Sequence, residues 1–428
     1  MMYARGLPLL MIALLLLGGC RKEELDEQGP SIQIIAPGNS TSLQIPDTLE
    51  ITVQVSDERI VQTVWISLGD VNGVPIAPTV TVAVNSSSAT IQRNIAVTDP
   101  TITSGNYSLA VRASDGVNTT SAFRSVSVQE APLRLRAIFV ASPEGTISQI
   151  DSIGDVSEFT SIPDMSLIEI NSFTQHLFVA GDPFDPLQVF ALHESAQSWQ
   201  IQNQNAQPGP YFTSLFTDPT DGRTYVCSND GAIRGYDGNG ITLFNAQAIT
   251  GHLPYAGAVV GDRFISEQKP ISIGENRLAS HTYNSGDLLV SYGLDADALR
   301  IFALNDQQML LFGERNGQGL IQQWNTFQGG NSDLRIFTEG AITAVSAISN
   351  VSFIIALPNR IVRYDQPSNS ATDLLFLSAN DVAFDRANGS VLIASGQQIL
   401  VVDPNNASII NTIEVGHQVT RVLPLFDR

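Results

Sequence analysis

His176-Leu177-Phe178-Val179-Ala180, Ser352-Phe353-Ile354-Ile355-Ala356 and Val391-Leu392-Ile393-Ala394-Ser395 are copies of one pattern, a short apolar run ending on small residues. Four further stretches align with them: Ala137-Ile138-Phe139-Val140-Ala141, Thr224-Tyr225-Val226-Cys227-Ser228, Arg263-Phe264-Ile265-Ser266 and Met309-Leu310-Leu311-Phe312-Gly313. Apolar runs of this length, rich in branched and aromatic residues and bounded by turn residues, read as buried strands. They recur every 40 to 45 residues or roughly so, the signature of a repeat architecture. In most copies another strand follows a short turn, as in Ala232–Asp237, Arg360–Asp365 and Gln398–Asp403.

Each of the seven periods has room for four strands, which predicts a seven-bladed β-propeller over residues 133–428. The first repeat begins at its second strand. Thr420–Asp427 reads as a first strand, and Phe426-Asp427-Arg428 repeats Phe384-Asp385-Arg386. Residues 419–427 are therefore expected to complete the first blade and close the ring, which removes exposed sheet edges. The domain resembles the propellers built from YVTN-type and quinoprotein-like repeats. It lacks the Trp-Asp ends of WD40 blades and the Trp-docking motif of quinoproteins.

Upstream, residues 31–130 alternate at period two between turn residues. The expected strands are Ile32–Ile35, Leu49–Val55, Val61–Leu68, Val80–Val84, Ala89–Ile91, Gly105–Ala113 and Phe123–Val128. Seven short strands in such a span predict an Ig-like β-sandwich. The run Gly105 to Asp115 resembles the late strands of bacterial Ig-like and cadherin-like modules. Trp65 is in phase with Val61 and is assigned to the core. The cadherin resemblance would make Asp57, Asp70 and Asp115 candidate calcium ligands; that of ordinary turn residues is the commoner role and the reading preferred here. The expected fold class is all-β, with the sandwich followed by the propeller.

The N-terminus carries a third signal. Arg5 supplies a positive charge, Leu7–Leu17 is apolar, and Gly18-Gly19-Cys20 follows. The apolar run is shorter than the roughly 20 residues that span a bilayer. Leu17-Gly18-Gly19-Cys20 resembles a bacterial lipobox, which implies a signal peptide over 1–19 and a lipidated Cys20. Lipid chains contribute about 0.8 kcal/mol per buried methylene, so such an anchor is stable. Residues 20–30 read as a flexible tether. Arg21–Glu27 resembles the export signal of Bacteroidetes surface lipoproteins. That implies outer-membrane attachment with cell-surface exposure, the periplasmic face being the alternative. Asp47-Thr48-Leu49 and Asp151-Ser152-Ile153 resemble that group's O-glycosylation site, with Thr48 and Ser152 as acceptors.

The chain of 428 residues has a net charge of −20, which argues against a nucleic-acid partner. With Cys20 lipidated, Cys227 has no partner for a disulfide, and its apolar strand marks it as a buried structural thiol. The sequence holds no Gly-x-Ser-x-Gly elbow, no paired-His metal motif and no phosphate-cradling Gly loop. The five histidines, His176, His193, His252, His281 and His417, fall in different repeats. No catalytic residue, metal site or cofactor is therefore expected.

By resemblance to other propellers, partners bind at the loops between second and third strands and between blades. The candidates are Glu144, Asp182, Phe184, Asp185, Asp230, Glu267, Lys269, Glu314, Arg315 and Asn359, with Tyr211, His252, Tyr255 and His417 from inter-blade loops. Gln268–Asn284 and Gln202–Tyr211 are unusually long, and irregular loops on a rigid scaffold commonly carry binding. Trp199 and Trp324 read as packing residues. The functional expectation is a non-catalytic surface lipoprotein, monomeric, whose propeller binds a protein or glycan. The alternatives are a polysaccharide lyase or hydrolase and, less favoured, a quinone-dependent dehydrogenase.

Overall fold

The computed structural model describes residues 28–204 and 209–427. The signal segment, Cys20 and most of the tether lie outside the described residues, as do Arg428 and part of the Gln202–Tyr211 loop. The chain forms two compact units that divide between Pro132 and Leu133.

The first unit contains β1 (Ser31–Ala36), β2 (Thr41–Gln44), β3 (Asp47–Gly69), β4 (Val80–Val97), β5 (Gly105–Ser114) and β6 (Thr119–Gln129). The strand order is β1-β3-β5-β6-β2, with β4 also paired to β3. The expected pairs Leu49–Val55 with Val61–Leu68, and Val80–Val84 with Ala89–Ile91, are in fact two continuous strands, β3 and β4. The polar residues Asp57-Glu58-Arg59 carry neither Gly nor Pro and continue the strand through bulges at Ser56/Val61 and Val61/Thr63. A bulge bends a strand without ending it. One half of β3 pairs with β1 and the other with β5, yet Leu49, Ile51, Val53, Val55, Val64, Ile66 and Leu68 share one core.

The same bulge corrects the expectation for Trp65. Between Val61 and Val64 the buried positions of β3 change from odd to even, where β4 carries an extra residue (Val61 pairs with Ser86 but Thr63 with Ala83). Val64, Ile66 and Leu68 are buried, and Trp65 points the opposite way, half-buried. Asp57, within β3, accepts the Arg59 amide, and Asp70 and Asp115 accept amides of their own turns, at 2.6 to 2.8 Å.

The second unit consists of seven four-stranded sheets. Each is an antiparallel meander, and the seven stretches quoted at the outset are, or lie within, their second strands. Sheet one is completed by Arg421–Asp427, which pairs antiparallel with Arg134–Ala141. The first strands of sheets two to seven are Leu167–Asn171, Phe212–Thr217, His252–Val260, Asp297–Asn305, Ala344–Ala347 and Asp381–Asp385. Residues from these six and from Arg421–Asp427 line a single cavity of about 350 Å³. The architecture is thus all-β and propeller-like, with the first strands innermost around an axial channel.

Apolar faces of neighbouring sheets fill the space between them. Phe312, Phe353 and Tyr364 pack together across sheets five and six, and Tyr225, Phe244 and Phe264 across sheets three and four. A fully buried side chain of this size contributes about 1.5 to 3 kcal/mol. Within sheet one, Gly145 lets the chain leaving the last strand pass close to the turn: its φ is +88°, and a Cβ there would lie 1.9 Å from the Ile162 carbonyl oxygen.

Candidate binding site in the axial channel

Six charged residues line the channel, Asp218 and Arg386 among them, and the other four come from four different sheets and form two pairs. Glu169 comes from sheet two, Arg300 from sheet five, Asp381 from sheet seven and Arg421 from sheet one. Arg300 Nη2 lies 3.6 Å from Glu169 Oε2, and Arg421 Nε lies 3.2 Å from Asp381 Oδ2. Asp381 Oδ2 also accepts the Val422 amide at 3.0 Å, tying sheet seven to sheet one. Burial in the channel pushes the Glu169 carboxyl above its usual range, and the Arg300 and Arg421 guanidiniums oppose that shift. Sequence reasoning passed over all four. The available signal was a charge inside an apolar strand, as in Leu167-Ile168-Glu169-Ile170 and Leu299-Arg300-Ile301.

A second cluster joins sheets four and five, and it includes residues expected from sequence. Lys269 Nζ lies 3.7 Å from Glu267 Oε1 and 2.8 Å from Asp297 Oδ1, and sits 5.1 Å from the centre of the Tyr255 ring. Glu267 Oε1 accepts the Ala298 amide at 2.9 Å, whereas its buried Oε2 has no hydrogen-bond partner. Burial raises the Glu267 carboxyl to about 7 despite the neighbouring ammonium. Glu267 is therefore not a loop residue. Glu267 and Lys269 lie in the strand Arg263–Pro270, Glu314 and Arg315 in Gln308–Arg315, and His252 and Tyr255 in His252–Val260. Strands of sheets four and five run on into segments that the shorter repeats use as turns, so much of Gln268–Asn284 is strand too.

The other candidates stay apart. Glu144 is exposed in the turn between the second and third strands of sheet one. Asp182, Phe184 and Asp185 occupy the equivalent loop of sheet two, where Asp182 Oδ1 accepts the Phe184 amide at 2.9 Å. Asp230 accepts from the Tyr211 hydroxyl at 3.0 Å and pairs with Arg234. Arg315 makes a two-pronged contact with Asp333, at 2.7 and 3.1 Å. His417 Nε2 is 3.0 Å from Ser148 Oγ, and none of the five histidines lines the channel. Thr48 and Ser152 are exposed, the first on β3 and the second in a turn. Cys227 is buried and its Sγ–H donates to the Tyr255 carbonyl at 3.4 Å; burial pushes the thiol up. Trp324 is buried, and Trp199 packs edge-on against Phe178.

No family model and no curated protein matches the sequence. Solved structures resemble it in fold. A quinoprotein alcohol dehydrogenase-like protein from Bacteroides thetaiotaomicron is 12% identical, with a TM-score of 0.48, over 93% of this chain and 99% of that one. Hydrazine synthase of Kuenenia stuttgartiensis is 10% identical, with a TM-score of 0.49, over 65% of this chain and 95% of that one. The WD40 repeats of RRP9 are 13% identical, with a TM-score of 0.48, over 68% of this chain and 93% of that one.

Proposed function

We propose that the chain is a lipid-anchored surface protein with an Ig-like sandwich and a seven-bladed β-propeller, and that the propeller is a non-catalytic platform for a protein or glycan. The observation that carries the non-catalytic reading is the pairing of the channel charges with one another. Glu169 faces Arg300 and Asp381 faces Arg421, and no histidine stands beside them. A binding role draws support from one end of the second unit. Phe184, Ile271 and Ile273 are exposed in loops between second and third strands, and Phe376 in the loop joining sheets six and seven. In antiparallel four-stranded sheets these two kinds of loop lie at the same end. Phe173, Ile153, Ile241 and Phe327 are exposed at the other end, so the platform is assigned to the first end on its longer loops, where exposed apolar side chains suit an interaction surface.

Photocrosslinking from positions 184 and 376 in intact cells tests the platform: one recurrent adduct is expected, and recovery of the protein always alone overturns it. Cys20→Ala tests the anchor and should release the protein from membranes without changing its melting. The polysaccharide lyase or hydrolase remains the second reading, because carboxylates and arginines do converge in the channel. It requires new chain ends from an acidic or neutral polysaccharide, and their loss in Glu169→Gln.

A further inference from the structure

The channel charges are not matched in hydrogen-bonding capacity. Asp218 and Asp381 are committed to the scaffold: Asp218 Oδ2 accepts the Val259 amide at 2.8 Å, and Asp381 Oδ2 accepts that of Val422 at 3.0 Å. The guanidiniums are held more loosely. Arg300 meets Glu169 at 3.6 Å, beyond direct hydrogen-bond distance. Arg421 Nε is buried and lacks a hydrogen-bond partner, although it lies 3.2 Å from Asp381 Oδ2, because the geometry is misaligned. Each guanidinium offers five N–H donors in a fork that fits a carboxylate. Donor capacity therefore exceeds what the channel's own carboxylates take up.

The volume of about 350 Å³ is at the lower end of small-molecule sites, which run from about 300 to 1,000 Å³. A bare inorganic dianion would meet the arginines but be repelled by Glu169 and Asp381. A monoanion rich in hydroxyls satisfies both: its carboxylate suits the guanidiniums, and its hydroxyls can donate to the carboxylates. We propose that the axial channel binds a carboxylate-bearing sugar, a single uronic acid unit, whose carboxylate takes Arg300 from Glu169 and whose hydroxyls donate to Glu169 and Asp381. Burial makes an ionised Glu169 costly, so once Arg300 is taken its carboxylate needs the donors that the sugar's hydroxyls supply. The inference is independent of the partner-binding part of the platform reading, which concerns the loops and not the channel.

Calorimetric titration of the full mature chain tests it, using D-galacturonate, D-glucuronate, their neutral parents D-galactose and D-glucose, and sulfate. One of the two acids should bind one-to-one, with its neutral parent weaker by about tenfold or more. Arg300→Gln should weaken the acid by about tenfold, and Glu169→Gln, which removes the competing charge, should tighten it severalfold. Binding of neither acid to the native chain or to Glu169→Gln overturns the proposal. So does sulfate binding equal to that of the acids, or unchanged affinity in an Arg300→Gln chain with native melting. If Arg300→Gln fails to fold, Arg421→Gln is read in its place against the same outcomes.

Discussion

Arg300 Nη2 stands 3.6 Å from Glu169 Oε2, although their strands belong to sheets five and two. The contact crosses the channel instead of following the ring, so one ion pair ties opposite sides of the second unit. Removing the cation leaves a carboxylate enclosed without its main partner. Arg300→Leu should therefore destabilise by about 2 kcal/mol, between the surface and fully buried limits for ion pairs. Glu169→Gln should cost much less, because the arginine keeps access to channel water. Urea unfolding of both variants checks the asymmetry.

Glu267 makes the stability of the second unit depend on pH. Its folded carboxyl sits at about 7, above its ordinary value of 4.5. The folded state therefore holds a proton that the unfolded state has released between those values. Its contribution is fully present below about pH 4.5 and is lost as pH rises through about 7, with an upper magnitude of about 3 kcal/mol. Glu267→Gln should remove this loss and be more stable than the native chain at pH 8. Unfolding free energies at pH 5 and pH 8 decide it; the same pH slope in both chains would refute the assignment.

Cys227 should resist alkylation by a maleimide in the folded chain and react fully in denaturant, since its thiol is buried and pushed up by burial. The count in denaturant also reports on Cys20. One reactive thiol per chain is expected from a lipidated protein and two from an unlipidated one.

In the first unit, Ile66→Ala should cost about 2 to 5 kcal/mol, as a fully buried side chain. Trp65→Ala should cost less, despite its larger volume, because Trp65 faces away from that core. Thermal melting of the first unit's variants checks the phase set by the bulge.

The repeat of the second unit was legible because alternation and turn residues are local properties. Strands such as Leu177–Ala180 and Phe353–Ala356 announce themselves by composition alone. The two long strands of the first unit were not, since a bulge is a polar stretch that continues, and Asp57-Glu58-Arg59 looks like a turn to any local reading. The candidate site was legible only in part. Lys269, Glu267 and Tyr255 do come together, but as an inter-sheet cluster with a buried acid, not as exposed loop residues.

By itself the sequence determined the all-β character, the recurring second strands and the return of Arg421–Asp427 to the first repeat, because each follows from short-range periodicity. Only the tertiary structure decided which charges share the channel. Glu169, Arg300, Asp381 and Arg421 come from four sheets, and their meeting depends on the rotation of one sheet against the next around an axis. That rotation is fixed by packing between apolar faces, and no local pattern encodes which residues it brings opposite one another.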